Sequence, residues 1–163
     1  MKIEESTITE TSDFRVIIYP ASRPFTPKEA KKITENLFDF LPTWAAHGKP
    51  LSASFKIVKN QFVVVSVDEE QEAASGCSID SLGQLFRELD SEFQLGFFDR
   101  MKASFVENGE VKTMKLQEFR AALKSGEISD DIEVFDFSKD TYVNFVADFL
   151  LPLKRSWAGI YVN

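Results

Sequence analysis

The stretch ASFKIVKNQFVVVSV, residues 53–67, decides the fold. Its first part, 53–58, alternates, with Phe55 and Ile57 on one face, as an edge strand does. Asn60 and Gln61 then turn the chain. Residues 62–67 are almost wholly apolar, which suits a well-covered central strand. Upstream, FRVIIY at 14–19 has the same character. A helix separates the two strand regions. Thr26 is placed to cap it, Pro27 suits its first position and Glu29 completes a capping box. Ala30, Ile33, Leu37, Phe40 and Leu41 mark its apolar face, and Pro42 stops it. Downstream, Ser78 is expected to cap a second helix with Ile79, Leu82, Leu85, Phe86, Leu89 and Phe93 inward, closed by Gly96. A strand at 102–107 follows. The order is βαββαβ, which predicts a ferredoxin-like two-layer α+β sandwich with the first and third strands central.

The rest of the chain predicts a C-terminal β-hairpin/α/β/α extension. Asn108-Gly109 is a strong hairpin signal leading into 110–115. A short helix at 116–125 carries Phe119, Ala122 and Leu123 and ends at Gly126. A strand is expected at 132–137, then a helix capped by Ser138 with Tyr142, Phe145, Val146 and Phe149 inward. Three segments result: a flexible leader at 1–13, a ferredoxin-like core at 14–107, and an extension at 108–163 that lengthens the sheet or wraps its open face.

Composition narrows the function classes. The chain has 163 residues, 44% of them hydrophobic, with sixteen Phe, which is enough for an aromatic-rich core. One Cys excludes an internal disulfide, and one His excludes any site that needs two imidazoles. The apolar runs are too short to span a bilayer and the start lacks a signal peptide's apolar stretch, so a cytoplasmic protein is expected. Residues 68–100 alone carry the whole net charge of −7; the remainder balances at seventeen acids and seventeen bases. With no basic surface, nucleic-acid binding is not expected. The acidic stretch lacks the alternating oxygens and central Gly of a calcium loop and reads as a solvated face.

In the expected topology the loops at 42–52 and 68–78 leave the same sheet edge. That brings His47, Cys77, Trp44, Asp68 and Asp80 together, with the Asn108-Gly109 turn, and leaves Arg23, Asp99 and Arg100 at the opposite edge. Cys77, His47 and Asp80 are the candidate catalytic residues; Trp44, Ser75, Gly76 and Ser78 are the candidate binding residues. A thiol before a helix meets unpaired N–H groups and the positive end of the dipole, which activates it, and a nearby His can pair with the thiolate. The S-G-C-S segment can present N–H groups to an anion. Each has a blander reading. Cys77 is expected to be mainly buried at the loop–helix junction, His47 to fix the turn into Gly48, and Trp44 to pack. No metal-ligand spacing, hydrolase elbow, Walker loop or dinucleotide fingerprint is present, so no metal or cofactor is expected.

Several segments together resemble a family. RVIIYPASRPFTPKEAKKI, W-A-A-H-G, L-S-A-S-F-K-I with N-Q-F-V-V-V, S-G-C-S-I-D-S and P-L-K-R-S-W are similar to an uncharacterised Bacteroidetes family of about this length, over residues 14–157. Its W-x-x-H-G and G-C-S-I-D motifs are the most specific. Its members are often labelled "ABC transporter ATPase". That label implies a Gly-rich loop with Lys and Ser/Thr holding phosphate and Mg²⁺, which this chain lacks. Where relatives read S-W-H, this chain has Ser156-Trp157-Ala158. Residues 118–135 are also faintly similar to GYF-type adaptor modules, without their aromatic peptide-binding signature. The expectation is a noncatalytic interaction or regulatory protein, with a homodimer or a protein partner as its association. The alternative is a small-molecule-binding protein or cysteine-dependent enzyme using the His47/Cys77 edge.

Overall fold

The computed structural model describes residues 14–162; the leader expected at 1–13 lies outside the described residues. The first unit comprises β1 (Arg15–Pro20), α1 (Pro27–Phe40), a short hairpin of β2 (Ala45–Ala46) and β3 (Lys49–Pro50), β4 (Ser52–Val58), β5 (Phe62–Asp68) and α2 (Gly76–Phe93). The second comprises β6 (Lys102–Glu107), β7 (Glu110–Lys115), α3 (Leu116–Ser125), β8 (Glu133–Phe135), α4 (Tyr142–Asp148) and β9 (Leu150–Pro152), ending in two 3₁₀ turns at Leu153–Arg155 and Trp157–Tyr161. The protein is α+β, with antiparallel sheets.

The first sheet has strand order β1-β5-β4. β5 is central and both its neighbours run antiparallel to it. Lys59 and Asn60 take positive φ (55° and 53°), and the Gln61 N–H donates to the Val58 carbonyl, so the turn between β4 and β5 has type I′ character. Every residue from Phe62 to Val67 is buried. Val63, Val65 and Val67 enter a core with Ile33 and Leu37 of α1 and Leu82 and Phe86 of α2. Phe62 and Val64 enter another on the opposite face, with Phe135, Phe145 and Phe149. The C-terminal residues therefore wrap the open sheet face.

The fourth strand corrects the expectation. Residues 102–107 do not close the first sheet; β6 sits in a second sheet of order β7-β6-β8-β9. Both edges of β6 are taken, by β7 across the Asn108-Gly109 turn and by β8. The outer edge of β1 also resists a full partner. The Phe14 carbonyl and Val16 N–H bond to Tyr142 and Asp140, and Pro20 has no N–H to offer. Helix starts shift as well. Ser75, not Ser78, caps α2, its Oγ accepting from the Ser78 N–H at 3.2 Å, and Thr141, not Ser138, caps α4. α2 ends two residues earlier than Gly96 implied, with Gln94 as its left-handed cap at φ 55°. Gly96 (φ +73°) is still required: a Cβ there would collide with Ser22 Oγ.

The α1 capping box forms as expected and gains an anchor. Glu29 accepts from the Thr26 N–H (2.9 Å) and takes both arms of Arg23 (2.7 and 2.8 Å). Arg23 Nη2 also donates to the Phe93 carbonyl at 2.7 Å, tying the start of α1 to the end of α2. The Arg23 hydrogen bond holds the buried Glu29 carboxyl down at about 2, against its own desolvation. A carboxyl held down in the fold stabilises above its ordinary value of 4.5, and that contribution is lost as pH falls through about 2. Arg23→Ala is expected to destabilise by about 2 kcal/mol at pH 7, less than a fully buried pair because Arg23 is partly in solvent. The gap between variant and wild type should shrink between pH 4.5 and 2, which urea unfolding across that range measures.

Candidate functional site

The expected His47/Cys77 edge is assembled in part. Trp44 is buried and its indole N–H donates to the Ser78 carbonyl at 2.8 Å, joining the two loops. Lys49 approaches Glu72 at 3.7 Å. Ser75 and Ser78 are engaged in capping: Ser78 Oγ donates to the Ser75 carbonyl at 2.8 Å. His47 and Gly48 form the two-residue turn between β2 and β3, both at positive φ (53° and 76°), with His47 exposed at the tip. Gly76 and Cys77 lie exposed in the first turn of α2. The expectation of a mainly buried thiol is thus overturned, because the helix begins earlier and turns Ser78 inward instead. Asp80 follows Cys77 by three residues on α2. It lines a separate cleft with Asp99 and Arg100, two residues expected at the opposite edge. Among the described residues, no group of three or more His, Cys, Asp or Glu is arranged to hold a metal ion, and no helix is long and apolar enough to cross a membrane.

That cleft, of about 550 Å³, lies beside β1. Ile17 to Pro20 form its back, and Ile79, Gly83 and Arg87 of α2 form one wall. Phe97 to Arg100 close one end, and Phe137 and Ser138 form the far wall. Tyr19 is among its polar lining residues. Its ring stacks on Phe86 (3.7 Å between centroids, 3° between planes) with Phe97 edge-on, and the residue is only 7% exposed. Burial pushes the phenol up to about 12, with Arg87 pulling it back. Among the described residues the hydroxyl has no hydrogen-bond partner. Arg87 folds over the Phe98 ring at 5.8 Å. A Cβ on Gly83 would meet its guanidinium at 3.3 Å, so a glycine inside a helix, where it costs about 1 kcal/mol against Ala, leaves room for Arg87.

Lys102, from the first residue of β6, forms a strut at the end of the cleft. Its ammonium donates to the Pro20 carbonyl, the Gly96 carbonyl (2.6 Å) and Ser22 Oγ (3.1 Å). All three of its donors are used. Asp90 secures the same loop by accepting from the Gly96 N–H at 2.6 Å. Burial pushes Lys102 down to about 8, while Asp99 and Asp90 pull it up.

Tyr19, Gly83, Arg87 and Lys102 were not singled out by sequence. Tyr19 ends an apolar strand and reads as core. Gly83 inside a strong helical period and a Lys opening an otherwise apolar strand were the available signals. No protein-family model, curated protein or solved structure matches this chain.

Two outcomes follow from these placements. Cys77→Ser should change stability by no more than about 0.5 kcal/mol, as surface substitutions do, and the native thiol should react stoichiometrically with a disulfide reagent. Lys102→Met strands two carbonyls and should cost about 2–4 kcal/mol at pH 7. The unfolded chain binds the Lys102 proton more tightly than the fold does, so the wild type gains stability from about pH 8 to 10.5 and the variant does not. Urea unfolding at pH 8 and 10 should therefore find the gap widening.

Proposed function

We propose that this is a noncatalytic binding protein whose ligand site is the cleft beside β1. The observation that carries the reading is the cleft lining itself: Tyr19, a residue 7% exposed, opens its hydroxyl to the cleft beside Ile17, Ile79 and Phe97, with no partner among the described residues. A ligand that offers an acceptor to Tyr19 and an apolar body to Ile17, Ile79 and Phe97 matches that lining. The cavity falls within the roughly 300–1,000 Å³ common for ligand sites. At the other edge His47 lies exposed at its turn, and Ser75 and Ser78 are engaged in capping.

We read Arg15–Phe93 as a split βαβ unit, ferredoxin-like in its β1-β5-β4 order up to the missing fourth strand. An exposed lone thiol suits a reducing compartment, and a cytoplasmic location is part of the proposal. The test is amide NMR of the labelled protein against a panel of small carboxylates and short acetylated peptides. Saturable shifts at Ile17 to Tyr19, Gly83 and Phe97 are expected for at least one compound. Tyr19→Phe should then bind it about tenfold more weakly, the loss of one hydrogen bond to a charged acceptor. Equal binding by Tyr19→Phe, or a panel that leaves the cleft unmoved, overturns the reading.

A further inference from the structure

The cleft occupies the place of a neighbouring strand. The Val16 N–H donates to the Asp140 carbonyl at 2.9 Å, so the Val16 peptide groups face away from β5. Alternate residues of a strand point their N–H and C=O to the same side. Ile18 and Pro20 therefore face outward too. Pro20 has no N–H, and its carbonyl is held by Lys102. Ile18 alone presents both an N–H and a C=O to the cleft. α2 walls the slot on the sheet face that carries Tyr19. Phe137, packed on Phe62 at 5.3 Å, walls it on the other. An open strand edge between two walls accepts an extended chain, with backbone hydrogen bonds for affinity and alternate side chains entering opposite walls.

The charges indicate what that chain carries. Arg87, Arg100 and Lys102 line the slot against Asp80 and Asp99, a positive balance in a chain of net charge −7. Asp99 Oδ1 is engaged by the Met101 N–H at 2.9 Å. Lys102 has no donor to spare. Neither arginine is in an ion pair among the described residues; Arg87 donates from Nε to Gln84 Oε1 (3.2 Å) and from Nη2 to the Asp80 carbonyl (3.4 Å), and lies near enough to Tyr19 to pull on its phenol. Building on the cleft reading above, we propose that the occupant is an extended peptide segment bearing a carboxylate. It adds to β1 at Ile18, and its carboxylate meets the Tyr19 hydroxyl and the two guanidiniums. A small acid satisfies Tyr19 but not the paired donor and acceptor of Ile18; a peptide group satisfies both.

Positional-scanning pools of acetylated tetrapeptides, as free acids and as C-terminal amides, test this against the labelled protein. The Ile18 amide should shift saturably and become protected from hydrogen exchange. Free-acid pools should bind about tenfold tighter than amide pools, as charge-assisted hydrogen bonds imply. Arg87→Gln with Arg100→Gln, both at exposed positions, should erase that preference while amide pools still bind. If small carboxylates bind through Tyr19 but no pool moves the Ile18 amide, strand addition is wrong and the cleft reading stands. If neither class moves any cleft resonance, both are wrong.

Discussion

Phe62 to Val67 send alternate side chains into two cores on opposite sides of one sheet, and all six residues are buried. That constraint organises the molecule. α1 and α2 cover one face; the other must be covered by something else, because a run of Val and Phe left in water forfeits about 25 cal/mol per Å² of apolar surface. Phe135, Phe145 and Phe149 provide that cover. They come from a stretch that also forms a second sheet and a third core, around Phe105, Phe119 and Val134. The C-terminal third is therefore one layer of a structure whose middle strand is shared.

Polar contacts fasten the units where the apolar cores cannot. Gln61, at the turn into β5, donates to the Ala21 carbonyl (3.0 Å) and to Thr113 Oγ1 of β7 (2.6 Å), and Thr113 meets Ser104 Oγ at 2.7 Å. Lys102 does the same from β6 to the end of β1. These bonds set the second sheet beside β1 without letting it pair there. The cleft is the space that results. Its polar residues are thus joint and lining at once, and Lys102 belongs to the joint.

Local signals were readable, and long-range choices were not. Thr26 and Glu29, the Asn108-Gly109 turn and the apolar period of α2 each depend on a few neighbouring residues, so their reading carried directly into the structure. The partner of β6 depends on which of two open edges wins, and Pro20, more than 80 residues before it, together with the 140–142 segment, more than 30 after it, decides that. Ser75 against Ser78, and Thr141 against Ser138, were close contests between equivalent caps. Burial settled the first, since Ser78 must turn inward beneath Trp44, and in the second Ser138 Oγ is taken up by Asp136 Oδ1 at 2.6 Å. The convergence of the 42–52 and 68–78 loops followed from strand directions alone. Tyr19 could not be recognised, because its place in the cleft lining exists only once the two units are assembled.

The two tryptophans have a use beyond packing. Trp44 sits in the first core with its indole N–H on the Ser78 carbonyl, and Trp157 sits against the third with its own on the Phe135 carbonyl at 2.9 Å. The chain has no others. Each half therefore carries one intrinsic fluorophore in a different, hydrogen-bonded environment. Emission from single-tryptophan proteins can follow the two halves separately during melting, and so report whether a sheet shared between cores makes them lose their structure in one cooperative step or in two.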